Sequence, residues 1–356
     1  MSAAGKRRHF GLDLIRAVSL YFVIAEHYFL HTDFYSVPLQ GWGMALSAFV
    51  RMPFMTCIPL FLMLSGWLCA ERRWDGDLRG YLRGLLPVLV VWLLSSGLCQ
   101  LFRIFCQGEP YTLFGSVSNI LSYAAAPYSW YVEMYIGLYL MMPFLNAAWD
   151  SLDRKGRAVM TLAFTLLSVL PTVTNLRLRL LPEWWIKLYP IAYYCFGLWV
   201  KRYPLRTRSL WLLAGWLGSS AAAAAMRWVF AGGGPFEWAA YADTNGPFTA
   251  FGGMCVFSVL ERCSGARAPG FVRRVVEWMS RLCLPAMLLS YIFEQLVYPH
   301  VLRAGLPYPT ALLLLPPATL AIALCSCLLA WPVSALSRAL TALVPGGARP
   351  EQREER

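Results

Sequence analysis

A histidine and an arginine lie inside the first apolar segment of the chain, where ionisable side chains are unusual. The segment spans Leu12–Leu30 and contains Arg16 and His27. At roughly 100° and 1.5 Å per residue, a helix places these two residues on one face, about 16 Å apart along its axis. Ionisable groups within a membrane normally face a protein interior or a wet cavity. A side chain that titrates near neutral pH, on the same face as a fixed cation, indicates a reaction centre.

Both residues also have a structural interpretation. His27 could pack between helices, and Arg16 could extend to the lipid headgroups. Asp13 precedes Arg16 by three residues, so we expect the two side chains to pair. Glu26 precedes His27 directly, but adjacent residues on a helix point about 100° apart. We therefore expect Glu26 to face another helix or the membrane interface.

Three further segments carry candidate site residues. Glu133 is a charge within SWYVEMYIGLYLMMPFLN, and it fits a functional role and a helix–helix hydrogen bond equally well. Glu294 raises the same question with weaker support. Ser65, beside a glycine, is a candidate donor-binding residue, although such small residues also let helices pack closely. Arg79 and Arg83 belong to the basic loop RRWDGDLRGYLRGLLP, which could hold a phosphorylated ligand or anchor the topology.

The elements that position these residues are predicted from composition and apolar runs. The chain is 58% hydrophobic and 14% charged, against roughly 25% charged residues in a soluble domain. This composition predicts an all-α, polytopic membrane protein without room for a second domain. Because each span needs about 20 residues, we predict ten transmembrane helices, followed by a polar tail at 341–356. The predicted helices are 12–30, 53–70, 85–106, 128–146, 157–175, 184–200, 209–230, 247–262, 282–298 and 311–336.

The positive charge of the chain describes its topology. The net charge is +12, but the basic residues fall in short connections between apolar runs, so it does not indicate nucleic acid. Most of them lie on one side if both termini are cytoplasmic, which is the predicted orientation. His27 then lies in the extracytoplasmic half of the bilayer and Arg16 near the cytoplasmic face. No Cys or His cluster has the spacing of a metal site, so no metal is expected.

In order along the chain, these segments resemble the acyltransferase-3 family of integral membrane acyltransferases. GLDLIRAVSLYFVIAEH has the family's arginine, ten residues, histidine spacing. CIPLFLMLSGW, YLRGLLPVLVVW, SWYVEMYIGLYLMMPFL and YPIAYYCFGLWV follow, so the similarity runs from residue 9 to about 330 and defines one domain, 1–340. One departure is MLLS at Met287–Ser290, where family members often carry a YLIH-like segment.

The resemblance implies transfer of an acyl group to a hydroxyl. The usual donor would be acetyl-CoA, the acceptor a glycan or lipid-linked saccharide of the cell envelope, and no cofactor would be permanently bound. His27 would be the catalytic base or transient acyl acceptor, and Arg16 would support catalysis or position the donor. Arg83 would face the CoA phosphates. The expected location is the bacterial cytoplasmic membrane.

Two other classes of function stay open at this point. A transporter or flippase would use His27 and Glu133 as proton-relay groups. Many transporters contain an inverted duplication, and none is visible in this sequence, which counts mildly against a transporter. A membrane sensor or scaffold is the third possibility. Ligand-dependent release of CoA would separate an enzyme from both.

Overall fold

Helices make up every named element of the described chain. The computed structural model describes residues 9–176, 178–266 and 268–344, and within them the sole β pairing is an isolated bridge between Pro38 and Pro235. The all-α prediction is confirmed. The first eight residues and most of the predicted polar tail lie outside the described residues. The helices are α1 Phe10–His31, α2 Gly41–Phe54, α3 Cys57–Cys69, α4 Leu78–Arg83, α5 Leu86–Gln107, α6 Leu113–Leu121, α7 Trp130–Ser151, α8 Arg154–Val169, α9 Pro171–Thr174, α10 Tyr189–Arg202, α11 Ser209–Ala231, α12 Pro247–Glu261, α13 Gly270–Arg303, α14 Tyr308–Ala311 and α15 Leu315–Ala342.

Several of these helices are long and apolar enough to cross a membrane. Within the described ranges, six stretches satisfy both conditions. The helix α1 is 22 residues long as well but is not among these stretches. The count of ten spans and the sides of the termini stay predictions. The six stretches are Gly41–Cys69, Leu78–Gln107, Arg154–Thr174, Ser209–Ala231, Gly270–Arg303 and Tyr308–Ala342.

Two of the differences between the observed and the predicted helices lie at prolines. The predicted helix at 53–70 is instead the pair α2 and α3, interrupted between Phe54 and Cys57. Pro59 has no N–H for the carbonyl four residues earlier, and its ring crowds that carbonyl, so a continuous helix is disfavoured there. The predicted helix at 157–175 likewise divides into α8 and α9 at Pro171. The predicted 282–298 is part of the much longer α13.

The first helix lies at the centre of the protein. It packs against α2, α3, α12, α13 and α15, and Leu20, Ile24 and Phe29 on it are fully buried. Behind it, α3 and α10 approach so closely that a Cβ at Gly66 would lie 2.0 Å from the Tyr194 carbonyl oxygen. Of the Ser65–Gly66 pair, the glycine therefore has the helix-packing role that is predicted for small residues. The central position of α1 gives its polar residues protein surroundings along the helix.

Candidate active site

Two cavities lie along α1, one at His27 and one at Arg16. The histidine cavity has a volume of about 430 Å³, and His27 and Glu26 are among its lining residues. The arginine cavity has a volume of about 470 Å³, and its lining includes Arg16. Tyr131 and Met287 line both cavities. These two side chains therefore form the boundary between the cavities.

A buried carboxylate holds the imidazole of His27. The Nδ1 atom of His27 lies 2.9 Å from Oε1 of Glu294, which α13 contributes and which is completely buried. The hydroxyl of Tyr128, just before α7, donates a hydrogen bond to Oε2 of the same carboxylate. The Tyr128 ring also stacks on the imidazole, with centroids 3.9 Å apart. Because Nδ1 faces the carboxylate, Nε2 is the ring nitrogen left to exchange a proton with a molecule in the cavity.

A second histidine lies near the same carboxylate. The Nε2 atom of His31, one turn after His27 on α1, is 3.9 Å from Oε2 of Glu294. Its ring stacks on Tyr298, whose hydroxyl donates to the carbonyl of Ile24 at 2.7 Å. The carboxylate is therefore bordered by two imidazoles and a phenol. This arrangement stabilises a buried negative charge that would be costly alone.

Glu26 faces α2 and leaves the imidazole to Glu294. Its Oε1 atom accepts a hydrogen bond from Nη2 of the fully buried Arg51 at 3.2 Å. Arg51 also donates from Nε to the Tyr35 hydroxyl at 2.7 Å, and Trp238 covers its guanidinium at 4.6 Å. Burial raises the pKa of the Tyr35 phenol well above its usual value, so the hydroxyl stays protonated and donates to Glu26. The prediction that Glu26 faces another helix is confirmed.

Arg16 is anchored at the other cavity by a small polar cluster. Its Nη1 atom donates to Asp13 at 3.4 Å and to the Ser280 hydroxyl at 3.3 Å. The Ser280 hydroxyl in turn donates to Asp13 at 2.6 Å. The predicted pairing of Asp13 and Arg16 is confirmed. Ser65 lines the same cavity, while its hydroxyl donates to the carbonyl of Phe61 on its own helix.

The structure brings three of the six predicted site residues to these cavities. His27, Arg16 and Ser65 line them, whereas Glu133 is exposed on α7 and lines neither cavity. Of the predicted donor-binding arginines on α4, Arg79 is exposed and Arg83 is half-buried, and neither lines the arginine cavity. The second cation at that cavity is instead Arg281 of α13.

Sequence reasoning named Glu294 with weaker support but did not pair it with His27. It gave no site role to Arg281 or Tyr128. The clearest signal for Glu294 is a single carboxylate inside an apolar run, the feature that also singled out Glu133. Arg281 has the appearance of an ordinary topology anchor, and Tyr128 resembles one of many interfacial aromatics. Nothing in their local sequence distinguishes these two. Within the described ranges, no group of three or more His, Cys, Asp or Glu side chains is placed to hold a metal ion.

A comparison with known families matches the part of the chain that contains this site. The acyltransferase-3 family model, described as an acyltransferase domain, matches residues 9–334, and both cavities are built from that range. No curated protein and no solved structure matches the chain. Together with the apolar helices, the family match indicates a multi-pass membrane protein with acyltransferase activity.

Proposed function

We propose that this chain, which belongs to the acyltransferase-3 family, transfers an acetyl group from acetyl-CoA to a hydroxyl of an envelope glycan or lipid-linked saccharide. The observation that carries the proposal is the hydrogen bond between His27 and Glu294 at the wall of a cavity. A hydroxyl is a poor nucleophile until a base removes its proton, and histidine has a pKa suited to that task. Donor and acceptor would approach His27 from the two cavities.

The chemical step follows from the orientation of the imidazole. Nε2 of His27 removes the proton of the acceptor hydroxyl while that oxygen bonds to the thioester carbonyl carbon. The carbon–sulfur bond then breaks, and the proton passes from the imidazolium to the departing CoA thiolate. Glu294 stabilises the imidazolium and keeps the ring in place, as the carboxylate does in a Ser-His-Asp triad. Tyr131, at the boundary of the cavities, would donate a hydrogen bond to the oxyanion of the tetrahedral intermediate.

The arginine cavity suits the acyl donor. Arg16 and Arg281 line it, and guanidinium groups bind phosphate through paired hydrogen bonds. In the predicted orientation this cavity faces the cytoplasm, where acetyl-CoA is available. The pantetheine arm would extend past Tyr131 and Met287 toward His27, roughly 16 Å farther along α1. The proposed donor-binding residues are therefore Arg16 and Arg281, with Ser65 beside the arm.

The histidine cavity suits a hydroxylated acceptor. Its lining includes Asp243, Asn245 and Lys187, which offer hydrogen-bond acceptors and donors to sugar hydroxyls. Trp238 adds an aromatic surface to the same wall. A site with such polar groups discriminates acceptors by the hydroxyls that it pairs. In the predicted orientation this cavity opens on the extracytoplasmic side.

Reconstituted protein tests the proposal directly. Purified chain in liposomes receives acetyl-CoA carrying a radiolabelled acetyl group, together with an extract of envelope saccharides. We expect release of free CoA thiol and an equal amount of label in the saccharide fraction. Release of thiol without labelled saccharide would contradict the proposed acceptor, and no release with any acceptor would contradict the transfer reaction itself.

A further inference from the structure

A second buried arginine, Arg227, lies outside both cavities and has no carboxylate partner among the described residues. Arg227, on α11, is 5% exposed. Among the described residues its hydrogen bond is to the Tyr241 hydroxyl, from Nη1 at 3.1 Å, and its Nε atom has no partner there. Its guanidinium otherwise lies over the rings of Phe236 and Tyr241.

Arg51 provides a comparison within the same protein. Both arginines are buried, and their guanidinium carbons lie 4.9 Å and 5.1 Å from the Phe236 ring centroid, Arg51 being the nearer. Arg51 is neutralised by the carboxylate of Glu26. Arg227 has no such counterion in the described part of the chain. Because a guanidinium stays charged in proteins, burial without a counterion carries a large desolvation cost. An anion from outside the chain would offset that cost.

Arg227 lines a separate cavity that has room for such a ligand. The cavity has a volume of about 660 Å³. Tyr241 lines it beside the arginine, and most of its remaining wall is hydrocarbon. The apolar lining includes Leu176, Leu178, Leu180 and Phe230. One fixed cation in an apolar wall matches a molecule with one anionic group and a hydrocarbon chain.

The position of Arg227 on its helix suggests which anion it meets. It precedes the end of α11 by four residues, or about 6 Å of helix. Since α11 is able to span a membrane, a long side chain this close to the helix end can extend to the lipid phosphates that lie just beyond the hydrocarbon core. Guanidinium groups bind phosphate through two parallel hydrogen bonds. The pairing of Nη1 with Tyr241 leaves other N–H groups for that contact.

We propose that Arg227 binds the phosphate of a lipid whose hydrocarbon chain lies against the leucines at 176, 178 and 180. Both a bilayer phospholipid and a lipid-phosphate carrier have this chemistry. The proposal is independent of the acyl-transfer reaction. It assigns a lipid site on the face of the protein formed by α11 and the segment after α9.

Binding measurements on the full chain in neutral detergent test this site. Four probes isolate its two requirements: phosphatidic acid, a polyprenyl phosphate, diacylglycerol with the same chains as the phosphatidic acid, and inorganic phosphate. Native mass spectrometry gives the affinity. We expect phosphatidic acid or polyprenyl phosphate to bind, and diacylglycerol and inorganic phosphate to bind at least about tenfold more weakly. Whichever of phosphatidic acid and polyprenyl phosphate binds more tightly shows whether the site takes a bilayer phospholipid or a lipid-phosphate carrier.

Three variants complete the test. R227M should weaken binding of the preferred lipid at least about tenfold. The matched control is R179Q, because Arg179 is a nearby arginine that is 83% exposed and paired with Glu183; it should bind like the wild type. If R227M does not fold, L178W fills the cavity from a residue that is 68% exposed and should block the same lipid. The proposal would be overturned by an R227M protein that binds the lipid as tightly as the wild type, or by such an L178W protein if R227M does not fold. It would also be overturned if inorganic phosphate bound as tightly as the lipid, or if R179Q lost as much affinity as R227M.

Discussion

The Nδ1 atom of His27 lies 2.9 Å from Oε1 of Glu294, although the two residues are 267 positions apart in the chain. Both are buried, and Tyr128 completes the arrangement by donating to the other carboxylate oxygen. A carboxylate behind a histidine fixes the tautomer and orientation of the ring and stabilises its protonated form. This relationship gives the intramembrane histidine a defined basic nitrogen facing a cavity.

The carboxylate behind His27 should matter almost as much as the histidine. E294Q keeps the size of the side chain and a hydrogen-bonding group, but it removes the negative charge that stabilises the imidazolium. We expect kcat to fall about 10²-fold, within the range typical for loss of acid–base function, with little change in KM for acetyl-CoA. The measurement is steady-state acetyl transfer by purified, reconstituted protein.

The matched control for that experiment lies on the same helix. Glu277 of α13 pairs with Arg273 at 2.9 Å and lines neither cavity along α1. E277Q should therefore transfer acetyl groups at the wild-type rate. If E294Q also worked within about twofold of the wild type, Glu294 would be a structural partner of His27 only.

The donor site should depend on the arginines of the cavity. R16Q and R281Q should each raise KM for acetyl-CoA about tenfold, the loss expected from one charge-assisted contact. The increase should shrink at high salt, more so for the exposed Arg281, because salt screens exposed charges. Isothermal titration with a non-hydrolysable acetyl-CoA analogue provides the affinity.

The sequence-based assignment predicts a different pattern of variants. If Arg79 and Arg83 bind the CoA phosphates, R79A and R83A should weaken donor binding while R281Q should not. The same titration distinguishes the two patterns. Donor binding that depends on the α4 arginines alone would contradict the assignment to the arginine cavity.

The pair formed by Glu26 and Arg51 should contribute to stability. E26Q leaves the fully buried Arg51 without a counterion, and breaking a buried ion pair typically costs about 3–5 kcal/mol. We expect a clear drop in the thermal unfolding midpoint of the detergent-solubilised protein. The double variant E26Q/R51M should recover part of it, because no unpaired charge is left. A double variant less stable than E26Q would show that the arginine is tolerated alone.

The membrane topology can be measured independently of activity. Single cysteines in a cysteine-free background are labelled with a membrane-impermeant maleimide in intact cells. We expect labelling from outside at positions 38, 112 and 240, and protection at positions 76, 154 and 205, because the basic connections are predicted to be cytoplasmic. Labelling of position 205 from outside would contradict the ten-span arrangement.

The sequence predicts relationships within a helix much better than those between helices. Asp13, Arg16 and His27 lie on one helix. Their spacing alone brings Asp13 next to Arg16 and places all three residues along one side of that helix. The partner of His27 is on α13, and no local pattern encodes which residue of α13 reaches α1. The same limit applies to Arg281. Arg83 lies in the segment that resembles the family and Arg79 in the basic loop before it, yet neither residue of the short helix α4 lines the arginine cavity.

The break between α2 and α3 illustrates a second limit. An apolar run from residue 53 to residue 70 predicts one helix, but Pro59 removes a helical hydrogen bond near its start. The separate helix α2 runs from Gly41 to Phe54, before the break, and places Arg51 next to Glu26. Apolar periodicity alone does not predict that Arg51 pairs with Glu26, because in the sequence Arg51 resembles a residue at the outer end of a span.

His27→Gln tests the central claim most directly. Glutamine keeps a hydrogen-bonding side chain of similar length but cannot accept the proton of the acceptor hydroxyl. Acetyl transfer is measured together with the amount of folded protein, by size-exclusion chromatography of the purified variant. The proposed chemistry predicts a well-folded protein whose transfer rate is lower by about 10²–10⁴-fold. A folded His27→Gln protein that transfers acetyl groups at nearly the wild-type rate would contradict the assignment of His27 as the base.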